Sequence, residues 1–236
     1  MGRHRRRAGP SAIGPPRVAD DITRPALFGY GRPPVAAPQR NTRERARLGV
    51  DARRSQLLEL GLQLFADHSY DELGIDDIAR AAGISKGLLY HYFPSKRDYY
   101  VEVVRSAANL LLARTGEAAG EATPEALYHG LDAYLDFVEQ HARSYTALVR
   151  GGVGSDPEVV QLLEATRRTI AERILSKLSS EPPSPLLRAA MRGWIGLVEA
   201  ASLDWLERRD LPREQLRDLL AQMLLAALAA AGAMMP

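Results

Sequence analysis

From Arg53 onward the apolar residues recur at helical spacing. Leu57, Leu58, Gly61, Leu64 and Phe65 fall at i, i+1, i+4, i+7 and i+8, one face of an α-helix over Arg53–His68. His68-Ser69-Tyr70-Asp71 supplies turn residues, and His68 reads as a charge at the helix C-terminus. A second helix begins near Ile75, with Gly74 at its N-cap and Asp76 and Asp77 in its first turn, where carboxylates favour the positive end of the dipole. Adjacent residues on a helix diverge by about 100°, so these two aspartates read as capping residues rather than an acid/base pair. Gly83 closes this helix, Ile84 plugs the turn, Ser85 caps a third short helix, and Phe93-Pro94 stops it.

The pattern continues to the C-terminus. Lys96 to about Arg114 carries Tyr100, Val103, Val104, Ala107 and Leu111 on one face, and Gly116–Gly120 reads as a break. Thr123-Pro124 opens a helix with Leu127, Leu131, Tyr134, Leu135 and Val138. His141–Arg150 predicts a short helix, and Asp156-Pro157 starts another with Val160, Leu163, Ile170 and Ile174. Ser184-Pro185 begins a helix with Met191, Trp194, Ile195, Val198, Ser202 and Trp205. Pro212 begins the last, on which Leu216, Leu219, Leu220, Met223, Leu224, Ala227 and Leu228 form a broad apolar stripe. The expectation is an all-α chain of about nine helices in three parts. These are a leader over 1–47, a three-helix unit with a helix-turn-helix over 48–97, and a helical body over 98–236.

Composition sharpens this picture. Abundant Ala and Leu with only 6% aromatics favour helix over strand. Seven of the 15 prolines lie in 1–47, which has no sustained apolar period and reads as disordered. The net charge of +2 hides an asymmetry: residues 1–54 hold 13 Arg against Asp20, Asp21, Glu44 and Asp51, leaving +9 there and −7 on the rest. A basic head on an acidic body suggests a polyanionic partner. With no cysteine, disulfides and thiolate metal sites are excluded, which is compatible with a reducing cytosol. Arg3–Arg7 is followed by no apolar stretch, so no secretory signal is expected. Leu219–Met235 is nearly uncharged but falls short of the ~20 strongly apolar residues a span needs, and reads as a buried helix. Neither a paired-histidine motif, a phosphate loop nor a serine-nucleophile motif is present. The Gly151–Gly154 cluster lacks a following Lys-Ser/Thr, and neither a catalytic site, a metal nor a cofactor is expected.

The third helix carries the chemistry. Leu89 returns to the core face, which leaves Ser85, Lys86, Gly87, Leu88, Tyr90 and His91 outward, with Tyr92 ambiguous. A helix fits the major groove of DNA, and its N-terminal residues reach base edges. Ser85 and Lys86 can bond bases or phosphates, Gly87 permits close backbone approach, Leu88 can touch a thymine methyl, and Tyr90, His91 and Tyr92 can bond phosphates. Lys96 opens the next helix beside the DNA backbone.

Ile78-Ala79 through Gly83-Ile84-Ser85-Lys86-Gly87-Leu88-Leu89-Tyr90-His91-Tyr92-Phe93-Pro94-Ser95-Lys96 closely resembles the signature of the tetracycline-repressor (TetR) family, over about Arg53–Tyr100. The resemblance implies a cytoplasmic, nucleoid-associated homodimer that binds double-stranded operator DNA of palindromic sequence, usually as a repressor released by a small-molecule effector. It also implies DNA-facing roles for Ser85, Lys86, Gly87, Tyr90, His91, Tyr92 and Lys96. Gly74 departs from the pattern, since the family usually has Ser or Thr there. The resemblance further implies dimerisation through the last two helices, with Trp205, Leu216, Leu220, Met223, Leu224 and Ala227 as expected interface residues. It implies a pocket in the body, for which Tyr128, Tyr134, Phe137, His141, Tyr145, Trp194, Trp205, Glu199 and Ser202 are the expected candidates. A dimer without an effector, or an activator of the same fold, stays open.

Overall fold

The computed structural model describes residues 42–116, 123–150, 156–178 and 181–232, with the side chains of 42–48 outside that description. Most of the leader, part of the Gly116–Gly120 break and the Gly151–Gly154 cluster thus lie outside the described residues. Within them the chain is all-α. Its helices are α1 (Thr42–Asp67), α2 (Ile75–Ala81), α3 (Lys86–Tyr92), α4 (Lys96–Gly116), α5 (Pro124–Gln140), α6 (Ala142–Val149), α7 (Pro157–Leu178), α8 (Pro185–Arg208) and α9 (Arg213–Ala230). None of the described helices is long and apolar enough to cross a membrane.

Local chemistry sets the helix ends. Ser85, Thr123 and Ser184 each accept a hydrogen bond from the backbone N–H three residues on, at 3.1, 3.2 and 3.1 Å. Pro124 and Pro185 follow two of these caps at positions where a missing N–H costs nothing. Ser95 Oγ accepts from the Asp98 amide at 3.0 Å and donates to the Asp98 carboxylate at 2.7 Å, which caps α4. Gly83, at φ 65°, turns the chain between α2 and α3 in a conformation that side chains resist. The α1 helix begins at Thr42, well before the expected Arg53, because its first turns carry no apolar face to announce them.

Two apolar cores result. The head core gathers Leu57, Leu58 and Phe65 of α1, Ile78 of α2, Leu89 and Phe93 around α3, and Tyr99, Tyr100, Val103 and Val104 of α4. It therefore runs past the boundary expected at residue 97. It also takes in Val159 from the first turn of α7, a residue remote in sequence. Arg97 pairs with Asp156 at 2.6 Å and Glu158 at 3.1 Å, Arg105 pairs with Glu158 at 3.0 Å, and Arg54 pairs with Glu102 at 2.6 Å. These ion pairs join α1, α4 and the start of α7 over the same junction. The body core is built from Leu131, Tyr134, Leu135 and Val138 of α5, Met191, Trp194, Ile195 and Val198 of α8, and Leu216, Leu220, Leu224 and Leu228 of α9.

Candidate functional site

The exterior of α3 is held in place from beneath. Leu89 is fully buried and Phe93 nearly so, with the Phe93 ring 4.8 Å from that of Tyr99. Leu88 and Tyr90 are left 39% and 43% exposed, and Ser85, Lys86, Gly87 and His91 are exposed beside them. Two large residues are thus partly open to solvent on a seven-residue helix, where a partner could reach them. A side chain at Gly87 would meet nothing nearer than Ser85 Oγ at 4.0 Å, so the backbone there is open to close approach. Tyr92 is half-buried, edge-on to His91 at 5.6 Å.

Two cations of this surface already have partners. Lys86 Nζ donates to Asp76 Oδ2 at 2.9 Å, a bond that holds the ammonium pKa above its ordinary value. Lys96 Nζ lies 4.3 Å from the centre of the Tyr70 ring, at the start of α4. At Gly74, the missing hydroxyl cap is half replaced: its amide donates to Asp77 Oδ2 at 3.2 Å. Asp77 also accepts from Arg80 at 2.7 Å, and Arg80 first, then the Gly74 amide, lowers the Asp77 pKa.

A partly open cavity of about 780 Å³ lies in the body, with Leu62 of α1 at its edge. Of the expected residues, Tyr134, Phe137, His141, Tyr145, Trp194 and Glu199 line it. Tyr128 and Trp205 do not. The Tyr128 ring carries the Arg217 guanidinium at 5.1 Å, and Trp205 is buried with its indole N–H donating to the Leu211 carbonyl at 3.0 Å. Ser202 is fully buried but is not part of the wall. The larger omission was α7, whose Leu163, Arg167, Ile170 and Ile174 form one side of the wall. Their spacing was a usable signal, because Arg167 falls on the same stripe as three apolar residues. The α4 helix adds Val104, Ala107, Leu111 and Leu112. Both α4 and α7 thus run from the cavity into the head core.

The polar residues of the wall include Tyr134, His141, Tyr145, Arg167 and Glu199, with Arg173 and Lys177 toward the C-terminal end of α7. Tyr134 and Tyr145 hydroxyls stand 2.6 Å apart. Burial raises both pKa values, that of Tyr134 to about 12, so both phenols stay protonated at neutral pH. Arg167 donates to Glu199 at 2.8 Å and to Glu164 at 2.6 Å. His141 packs on Phe137 at 4.7 Å between ring centres, and its buried Nε2 has no hydrogen-bond partner among the described residues.

The expected dimer residues separate into two groups. Trp205, Leu216, Leu220 and Leu224 are buried within the protomer, so they are core and not available to a partner. A single apolar stripe on α9 had merged two faces. Ala227 is half-buried, while Met223 is 42% and Leu219 49% exposed, with Ala226 exposed on the same side of α9. On α8, Gly193, Gly196 and Ala200 are exposed at i, i+3 and i+7.

Residues 57–103 match the model of bacterial regulatory proteins of the tetR family, and residues 124–227 match the tetracyclin repressor-like C-terminal domain. The HTH-type transcriptional repressor KstR2 of Rhodococcus jostii is 31% identical over 168 residues, covering 70% of this chain and 73% of that protein. The HTH-type transcriptional activator FasR of Mycolicibacterium smegmatis is 29% identical over 169 residues, 71% of this chain and 76% of the relative. A crystal structure of a tetR-family transcriptional regulator from Streptomyces coelicolor aligns at a TM-score of 0.69 with 36% identity, covering 77% of this chain and 82% of that one. With its helix-turn-helix head and its helical body both matched, the chain belongs to the TetR family of DNA-binding transcriptional regulators.

Proposed function

We propose that the chain acts in the cytoplasm, on nucleoid DNA, as a homodimeric repressor of a palindromic operator, released by a small molecule taken into the body cavity. The observation that carries this reading is the outward face of α3, where Leu88 and Tyr90 stand exposed beside Lys86 and His91. In this reading Ser85, Lys86, Gly87, Leu88 and Tyr90 enter the major groove, and His91, Tyr92 and Lys96 bond phosphates. Lys86 exchanges Asp76 for DNA on binding.

Two heads are needed for two half-sites, and the exposed Leu219, Met223 and Ala226 of α9 beside Gly193, Gly196 and Ala200 of α8 supply an apolar face with room for close helix crossing. A ligand favouring one head spacing would act through α4 and α7, which reach from the cavity wall into the head core. No enzymatic step is part of this reading. The experiment is fluorescence polarisation with operator DNA: Lys86→Ala and Tyr90→Ala are each expected to weaken binding roughly tenfold or more. If both variants bind like the parent, α3 is not the reading element. An activator is the second reading, favoured by the name of the FasR relative. A reporter gene that loses expression when the chain is deleted would select it.

A further inference from the structure

The first turns of α7 grip the head. Val159 is buried within the head core, and Leu163, one turn on, packs against that core and also lines the cavity. Just before Val159 stand two acids. Asp156 accepts a forked pair of bonds from Arg97 of α4, from Nε at 2.6 Å and from Nη2 at 2.9 Å. Glu158 accepts from Arg97 Nη2 at 3.1 Å and from Arg105 Nη2 at 3.0 Å, about two turns further along α4. Arg105 Nε donates to Glu102 at 3.2 Å, and Glu102 accepts from Arg54 of α1 at 2.6 Å. The Arg54 guanidinium lies 5.3 Å from the centre of the Phe93 ring, at the C-cap of α3. A continuous chain of charged groups thus joins the start of α7 to the end of α3.

This chain does little for stability. The side chains of Arg97, Arg105 and Glu158 are 47%, 44% and 43% exposed, and ion pairs so open to water add little. Its geometry is the distinguishing property, since a fork between guanidinium and carboxylate fixes orientation as well as distance. The α4 helix runs unbroken from Lys96 to Gly116, and a head carried by one helix is free to swing and to roll about it. The α6 helix holds the far end of α1, where Ser144 Oγ donates to the Leu62 carbonyl at 2.9 Å and Arg143 pairs with Asp67 at 2.7 Å. The α7 clasp holds the opposite side, where α4 begins and α3 ends.

We propose that Asp156 and Glu158 are positioning residues for DNA recognition: through Arg97 and Arg105 they fix each head on its body, and so restrict the dimer to operators of one half-site spacing. The proposal rests on the reading of the chain as a dimer on two half-sites. In such a dimer the angle at which each head leaves its body sets the distance and twist between the two α3 helices. One inserted base pair moves a half-site by about 3.4 Å and turns it by about 34°. A clasped head cannot follow that displacement, and a released head can.

The test uses the full chain and the inverted repeat recovered by selection from random duplexes. Three companion duplexes are the repeat with one base pair inserted at its centre, the repeat with one removed, and a single half-site. Asp156→Asn with Glu158→Gln removes both acids, and Asn keeps the acceptor that caps α7, where Asp156 Oδ1 takes the Glu158 amide at 2.9 Å. Arg97→Gln opens the same clasp from α4. The parent is expected to prefer the unaltered repeat over both altered ones. Each variant is expected to lose that preference by roughly fivefold or more, and their combination to lose no more than either alone. On the single half-site, which one head reads, only the direct effect of charge remains: a slight gain without the acids and a slight loss without Arg97. Opposite charge changes thus share one effect on spacing, which a phosphate contact by Arg97 would not produce. If either variant keeps the parent's spacing preference, the clasp is wrong and the dimer reading stands. A variant that no longer binds the half-site would assign these residues to the fold of the head, which also overturns the proposal. If selection returns no repeat, or the parent shows no spacing preference, the clasp and the dimer reading fall together.

Discussion

Replacing Gly61 by Ala tests how the head is held on α4. Gly61 faces α4 from within α1, and a Cβ placed there would lie 2.4 Å from Val103 Cγ2, 2.6 Å from the Tyr99 hydroxyl and 2.8 Å from Tyr99 Cζ. Ordinary contacts between such atoms lie at about 3.5–4.0 Å. Neither neighbour can retreat freely. Val103 is 2% exposed with a β-branched side chain stiff about its first torsion, and the fully buried Tyr99 hydroxyl donates to the Leu57 carbonyl at 2.5 Å. Overpacking of this kind costs about 1–3 kcal/mol. Breaking the Tyr99 bond would strand a buried hydroxyl at about 1–3 kcal/mol more. Against this stands the helix-propensity gain of Ala over Gly, about 1 kcal/mol. The expected net loss is about 2 kcal/mol, or a fall in Tm of about 4–8 °C for a chain of this size. Thermal unfolding followed by far-ultraviolet circular dichroism measures it. Gly130→Ala on α5 is the control, since a Cβ there meets nothing, and it should melt at or above the parent. If Gly61→Ala melts no lower than the parent, the close α1–α4 crossing is wrong.

The acid side of the stability curve should carry a signature of His141, whose pKa is lowered by burial and then by Arg114. As pH falls through about 6.5 the unfolded imidazole takes a proton that the folded one resists, so stability present above that range is lost below it. His141→Gln should therefore lose less Tm than the parent between about pH 7.5 and about pH 5.5; equal losses would remove His141 from the account. At the α9 surface, Leu219→Arg with Met223→Arg should give a folded monomer by sedimentation, whereas Leu220→Arg should unfold the body, because Leu220 is fully buried. A double variant that stays dimeric places the interface elsewhere.

What the sequence made legible follows from where local chemistry acts alone. Ser85, Thr123 and Ser184 announce their helices because a cap and its amide lie three residues apart. Leu89, Phe93 and Pro94 fix the inner face and the end of α3 for the same reason. Periodicity says that a residue is apolar but not which neighbour it meets. Leu216, Leu220 and Leu224 share one apolar stripe with Met223, and only the fold shows that the first three are buried in their own protomer. The burial of Val159 in the head core has no local signal, since it depends on α7 crossing α4, a contact about sixty residues away in sequence. An aromatic on an apolar face can lie against core, cavity or an arginine, and Tyr128 meets Arg217. Arg167, a charge within an apolar stripe of α7, is the local sequence signal for that side of the cavity.

Two copies of α3, one from each protomer, are expected to read the two half-sites of one operator. Selecting bound duplexes from a random pool with the full chain tests it directly. The expected product is an inverted repeat with half-sites about one helical turn apart, lost from the selection when Lys86 and Tyr90 are both replaced by Ala. A pool that returns no enriched sequence, or a single unrepeated half-site, would contradict it.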